Sequence, residues 1–314
     1  MKKLIVLATL AALPAVAMAD VTISGNLAVG IVNTKDSAKG SLTTEDRTSG
    51  EIKFAGSDDL GNGLKAIWQI ASKINLADTA DGNTWAGRDS YVGLEGGFGR
   101  LTMGNIYIMP TSGAMSIFEN NSAGWKSAIY DQGTRYNNTV SYKTPSFAGF
   151  TATVQHSFGK NSTAESDKLS TQAVSLAYEG DGFSVSYDGE RTKQDQNNQS
   201  SLHELNASVS LADLTLQAGY AHGKDEAADS KRSGWGLAAS YALGNLTPKL
   251  GYWHEGQAKT AGVNKGDSSN SYAAGVEYAL SKRTRAGVEY VRTNYKDSSK
   301  VDAHATTVYL GTKF

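Results

Sequence analysis

The 314-residue chain has no cysteine. That excludes a disulfide framework and thiolate chemistry. It has only four prolines, and three of them, Pro110, Pro145 and Pro248, lie beyond the first twenty residues. None need sit inside a strand. Charge of one sign is also missing: the formal net charge is −1. Such a balance argues against a nucleic-acid partner. No run of 18 apolar residues occurs after residue 19, so membrane-spanning helices are excluded. A barrel of strands is not excluded, because such a strand needs an apolar residue only at every second position.

What the chain does have is 34 glycines and a two-residue rhythm. Val308, Leu310 and Phe314 fall on one face of a strand, and Thr307, Tyr309 and Lys313 on the other. Near the start, Val21, Ile23, Leu27, Val29 and Ile31 oppose Thr22, Ser24, Asn26, Ala28 and Gly30. Strand side chains alternate faces, so each strand has an apolar side and a wet side. The expected object is a transmembrane antiparallel β-barrel, with lipid outside and water inside.

Residues 1–19 read as a cleaved signal peptide. Lys2 and Lys3 form a basic start, residues 4–13 an apolar run, and Ala17-Met18-Ala19 a small-residue cleavage site. The run is shorter than the roughly 20 residues of a spanning helix. Cleavage leaves 20–314 as a single barrel domain, with a formal charge of −3 after loss of the two lysines. Export of this kind points to the cell outer membrane.

Two kinds of connection alternate along the chain. Tight ones lie around Asp59-Leu60-Gly61-Asn62-Gly63, Glu95-Gly96-Gly97-Phe98-Gly99, Glu179-Gly180-Asp181-Gly182, Leu243-Gly244-Asn245 and Leu280-Ser281-Lys282-Arg283. Long polar ones cover 33–48, 159–169, 191–200, 224–232 and 255–269. Short periplasmic turns and long external loops are the pattern of an outer-membrane barrel. About sixteen strands follow, with starts near Val21, Gly50, Leu64, Arg88, Arg100, Arg135, Phe150, Ser170, Phe183, Ser201, Leu214, Gly234, Thr247, Asn270, Thr284 and Ala303. Aromatic residues gather at strand ends as an interfacial girdle: Trp68, Tyr91, Phe98, Tyr142, Phe150, Tyr178, Phe183, Tyr220, Tyr241, Tyr278 and Tyr290. A soluble β-sandwich is the alternative, but it does not need so many strands.

The connection over 105–133 breaks the pattern. It is long yet carries Ile117, Phe118, Trp125, Ile129 and Tyr130. Apolar surface on a loop needs cover, and a wide barrel offers its inner wall. A loop folded into the lumen as a constriction is expected, with an oligomer contact as the alternative. Parity directs Glu51 and Lys53 inward, opposite Ile52 and Phe54. It also sends Lys65, Gln69 and Lys73 inward. With Tyr91 and Gly93 taken as outward, Arg88 faces in; with Tyr136, Val140 and Tyr142 outward, Arg135, Asn137 and Lys143 face in. Glu119, then Asp131, are the acidic partners on the loop.

Several stretches together resemble the trimeric sixteen-stranded general porins, close to the neisserial and betaproteobacterial branch. They are Ala19-Asp20-Val21-Thr22, Phe54-Ala55-Gly56-Ser57-Asp58-Asp59-Leu60-Gly61-Asn62-Gly63-Leu64-Lys65-Ala66, Arg88-Asp89-Ser90-Tyr91-Val92-Gly93-Leu94, Gly97-Phe98-Gly99-Arg100-Leu101, Arg135-Tyr136-Asn137-Asn138-Thr139-Val140-Ser141-Tyr142 and the final Phe314. The resemblance covers essentially the whole chain. It implies a homotrimer of separate pores in outer-membrane lipid and lipopolysaccharide, passing ions and small hydrophilic solutes by passive diffusion. It implies a loop after the fifth strand in each pore, with Arg88 and Arg135 on the opposing wall. It also implies that Phe314 belongs to the signal read by the insertion machinery. Family members usually carry arginine where this chain has Glu51, which weakens the positive cluster. No cofactor or metal is implied.

An outer-membrane enzyme is the rival class. No G-x-S-x-G elbow is present. His203-Glu204 and His254-Glu255 lack the second histidine of a zinc motif. Gly96-Gly97-Phe98-Gly99 joins strands, not a strand to a helix, so it is not a phosphate cradle. The five histidines read as lumen or loop polar residues. A substrate-specific channel would need an aromatic or basic ladder along the loop, and Phe118, Trp125 and Tyr130 are too few for one.

Overall fold

The computed structural model describes residues 21–35, 42–76, 84–108, 117–118, 134–158, 170–193, 198–296 and 301–314. The residues expected to form a signal peptide lie outside them, as do Glu119 and Asp131. The strands are β1 (Thr22–Lys35), β2 (Leu42–Gly61), β3 (Leu64–Lys73), β4 (Ser90–Gly96), β5 (Gly99–Ile108) and β6 (Thr134–Lys143). Next come β7 (Phe150–Ser157), β8 (Ser170–Glu179), β9 (Phe183–Lys193), β10 (Gln199–Leu211), β11 (Leu214–Asp225) and β12 (Ser230–Tyr241). The last are β13 (Leu246–Glu255), β14 (Ala258–Thr260), β15 (Val263–Lys265), β16 (Ser269–Ala279), β17 (Thr284–Tyr295) and β18 (Ala303–Lys313).

Sixteen of these form a ring of antiparallel neighbours. β13 pairs directly with β16, and the short β14–β15 hairpin extends the edge of β12 above the ring. β18 returns to β1, from Asn26 opposite Lys313 to Lys35 opposite His304. This closure removes the open edge that a sheet cannot expose to lipid. Phe314 completes the seam: its N–H donates to Gly25 O, and Gly25 N–H donates to Phe314 O, both at 3.0 Å.

The expected alternation is present. Val308 and Leu310 are 58% and 46% exposed on the lipid side, while Thr307 and Tyr309 are 0% and 5% exposed on the inner side. Tilted ring contacts at the lower end link Phe150, Tyr178 and Phe183, with centroids 4.5 and 5.3 Å apart. The turn from β2 to β3 requires left-handed backbone at three successive residues, Gly61, Asn62 and Gly63, with φ of 85°, 54° and 76°. Two glycines and an asparagine tolerate this best.

Three expectations change. Residues 33–35 and 42–48, read as loop, belong to β1 and β2, and 224–225 and 230–232 are strand as well. Above the lipid both faces of a strand meet water, so polarity there does not mark a loop. Pro248 lies inside β13. It pairs with Val276 on one side, but the pairing with β12 begins only at Ser240 and Lys249. Its missing N–H therefore falls where one side of the strand is unpaired. Third, the five histidines are not lumen residues. His156, His203, His222, His254 and His304 share the parity of the lipid-facing positions, and each has a buried inward residue beside it in sequence.

Candidate functional site: the lumen and its inserted loop

The inner face of β2 carries Glu51 and Lys53. Their partners on β1 are Asn26 and Ser24, and Lys73 on β3 lies directly opposite Glu51. Glu51 is a hub. One carboxylate oxygen meets Lys53 Nζ at 2.8 Å, and the other lies 3.8 Å from Arg88 Nε. An acid between two bases cancels much of the positive field that either would project alone.

Arg88 reaches this cluster by a route that parity alone misses. Tyr91 pairs with Gln69 and faces inward; Val92 and Leu94 are the exposed outer residues. Regular pairing would then bring Asp89 opposite Ala71. Instead Arg88 N–H donates to Ala71 O at 3.0 Å, and Ser90 Oγ accepts from Ala71 N–H at 3.0 Å. The irregularity turns Arg88 back to the side of Glu51. Tyr91 and Gly93, expected outward, are inward.

Arg135 does not join the cluster. Pairing of β5 and β6 shifts between Gly104 and Ile106, with Asn138 at a φ of 55°. An extra residue in one strand re-aims every side chain beyond it. Tyr136, expected outward, points inward and donates from its hydroxyl to Glu190 at 3.4 Å. Arg135 and Asn137 fall on the outer face. Arg135 Nε donates to Asp89 Oδ1 at 2.7 Å, and its guanidinium lies 4.8 Å from the Tyr107 ring centroid. The inward placement read from sequence is corrected for Arg135 and Asn137, because the parity count crossed a bulge.

The inserted loop is anchored elsewhere on the wall. Phe118, only 6% exposed, packs with Ala221, Ala238, Trp253, Ala273 and Val291, with Ile117 and Leu202 at the margin. These residues are the inward positions of β10 to β13, β16 and β17. Three of them are alanines, which leave room for the phenyl ring. Lys249 Nζ donates to Ile117 O at 2.7 Å and to Glu277 Oε2 at 3.0 Å, with Glu289 Oε1 at 3.8 Å. Glu277 also accepts from Tyr309 Oη at 2.8 Å and faces Arg285 Nε at 3.7 Å. Sequence reasoning missed this buried cluster. The signal was there: Lys249, Glu277, Glu289 and Tyr309 all sit between lipid-facing neighbours. Nothing in the sequence, however, says which strands the loop meets.

A closed barrel with an apolar outer band, a charged inner wall and a loop across the lumen is a transmembrane channel. The family model described as Gram-negative porin matches residues 6–298. The chain belongs to that family. The major outer membrane protein P.IB of Neisseria lactamica is 33% identical over 100% of both chains, and that of Neisseria sicca is 31% identical over 91% of this chain and 92% of its own. In structure, an anion-selective porin from Comamonas acidovorans superimposes with a TM-score of 0.78 at 21% identity, over 94% of this chain and 100% of that one. The trimer form of OmpT from Vibrio cholerae does so with a TM-score of 0.71 at 11% identity, over 94% and 99%. The protein is thus an outer-membrane porin, a channel rather than an enzyme. Its water-filled lumen passes ions and small hydrophilic solutes by passive diffusion.

Proposed function

We propose that the pore is narrowed between the 105–133 segment and the wall bearing Glu51, Lys53 and Arg88, with Glu119 and Asp131 as the acids of the loop. The observation that carries this reading is the seat of Phe118 on the inner wall. Rings of side-chain charge at a narrow point set ion preference. The Comamonas relative is called anion-selective. Here Glu51 pairs with Lys53 and lies close to Arg88, so the proposed preference is weak.

Reversal potentials in a tenfold KCl gradient test this. One unit charge about 6 Å away in water is worth about 0.7 kcal/mol. Glu51→Gln is therefore expected to raise the anion-to-cation permeability ratio about threefold, and Arg88→Ser to lower it by a similar factor. Arg135→Ser leaves it at the wild-type value, because that side chain lies outside the lumen. Both shifts shrink as salt rises, since the Debye length falls from about 10 Å at 0.1 M to about 3 Å at 1 M. A wild-type potential in Glu51→Gln at low salt would place the selective point elsewhere.

A homotrimer in lipid and lipopolysaccharide is the proposed assembly, with Phe314 as part of the assembly signal. Tyr220, Trp235, Tyr252, Tyr272 and Tyr290 form an upper aromatic tier on β11 to β13, β16 and β17, and such a girdle marks where wall meets lipid interface. The V. cholerae relative in its trimer form supports the trimer. Conductance closing in thirds is the expected record; unit steps alone at limiting dilution count against it.

A further inference from the structure

Two histidines stand directly opposite each other on the outer wall. His203 on β10 pairs with His222 on β11, the first exposed and the second half-buried. They lie beyond the aromatic tier, since Tyr220 precedes His222 by two residues on the same face. Directly opposite side chains on one sheet face have Cβ atoms about 4.5–5.5 Å apart. Two imidazole nitrogens on one tetrahedral ion, each about 2.0–2.1 Å from it, are about 3.3 Å apart. Rotation about the two side-chain torsions of each histidine covers that difference.

Each ring is held at the same atom by a hydroxyl from the flanking strand. His203 Nδ1 bonds Tyr187 Oη of β9 at 2.8 Å, and His222 Nδ1 bonds Ser233 Oγ of β12 at 2.7 Å. Tyr187 reaches His203 over Gly189, the residue directly opposite that histidine. A Cβ at Gly189 would lie 2.8 Å from the tyrosine hydroxyl and push it aside. Both Nδ1 atoms are thus taken, and both Nε2 atoms are left for a ligand. Anchoring of the second ring nitrogen is what fixes the tautomer of metal-ligating histidines. Among the described residues no third histidine, cysteine or carboxylate joins the pair. Lys224 and Lys231 stand one tier higher on the same face and repel a dication.

We propose that His203 and His222 form a two-histidine site for a divalent first-row transition ion, which binds both Nε2 atoms and completes its shell with water. Imidazole suits copper, nickel and zinc, and copper(II) is held most tightly of these. Calcium and magnesium take oxygen ligands and do not fit. The ion bridges β10 and β11 on the outside of the barrel, so it leaves the width of the pore alone. The chelate carries the affinity. The second ring binds at an effective concentration set by the first, and linkage of this kind is worth about 10²–10⁴-fold.

The test measures copper(II) binding to the intact folded porin in neutral detergent, by calorimetry and electron paramagnetic resonance. Wild type should show two imidazole nitrogens on the bound ion. His203→Gln and His222→Gln should each weaken binding about a hundredfold. Tyr187→Phe together with Ser233→Ala should weaken it about tenfold, as loss of the outer partners of a ligand does. His156→Gln, His254→Gln and His304→Gln together should leave affinity and spectrum unchanged. Because Lys224 and Lys231 repel the ion, affinity should rise between about 0.1 M and about 1 M sodium nitrate as screening grows. If a histidine variant does not fold, wild type suffices: copper(II) should shield His203 and His222 from carbethoxylation and leave the other three histidines as reactive as before. Wild-type affinity in either histidine variant overturns the proposal. So does a spectrum with one nitrogen, carbethoxylation of His203 and His222 that the ion does not slow, or affinity that falls with salt, as it would on surface carboxylates.

Discussion

Lys249→Met is expected to give an unsteady, wider pore and a less stable barrel. The lysine ties the described part of the loop to the wall by a hydrogen bond, through Ile117 O. It also neutralises Glu277 and Glu289, the latter 1% exposed. Breaking a buried ion pair from one side typically costs about 3–5 kcal/mol, because the partner charge is stranded. Lys249→Met together with Glu277→Gln and Glu289→Gln removes that cost while leaving the loop untethered. The triple variant should therefore regain stability and keep the large, noisy conductance. Lys249→Arg keeps the charge and should stay near wild type in stability. Single-channel recordings with polymer exclusion measure pore width directly. Wild-type conductance and noise in Lys249→Met would mean that Phe118 and its apolar seat alone hold the loop.

The second large effect is expected at the seam. Deleting Phe314 removes both backbone hydrogen bonds to Gly25. An unsatisfied backbone group in an apolar setting costs about 1–3 kcal/mol, so the closing edge loses a few. The ring also covers Gly25: a Cβ there would lie 2.6 Å from it and 2.4 Å from Glu51 O. The yield of protease-resistant barrel should fall severalfold, with conductance unchanged in the barrels that do assemble. Gly25→Val distinguishes seam from signal. It disturbs the same contact while keeping the terminal aromatic. If only the deletion lowers yield, Phe314 acts as a signal; if both do, the seam itself limits assembly. Full yield from the truncated chain would remove both roles.

The glutamate at position 51 gives the pore its character. Lys53, Lys73 and Arg88 could have formed a strongly positive wall. Glu51 sits among all three, bonded to one and close to another. On the opposite side of the sheet Asp89 does the same for Arg135. The charges on this part of the barrel are paired locally. That pairing is the reason for expecting modest selectivity and a large response when one partner is removed.

Much of the barrel is legible in the sequence, because each strand side chain meets one of only two environments. Lipid demands apolar residues at every second position, and tight turns demand glycine and asparagine. Strand number, the lipid-facing sets of β1, β2, β3 and β18, and an apolar loop seeking cover all follow from that rule. Parity holds only while the strand is regular. Beyond the bulge at Asn138 it sent Arg135 to the wrong face, and the irregular pairing at Ala71 brought Arg88 inward despite a wrong assignment for Tyr91. Contacts between strands are a different matter. Glu51 meeting Arg88 and Phe118 resting on three alanines from three strands each depend on register. Register is set by closure of the whole ring, which no local window of sequence contains. The chain by itself determined that there is a barrel and, on β1, β2, β3 and β18, which residues face lipid. The tertiary structure decided which charges meet, because cross-strand neighbours far apart in sequence become adjacent only once the sheet has closed.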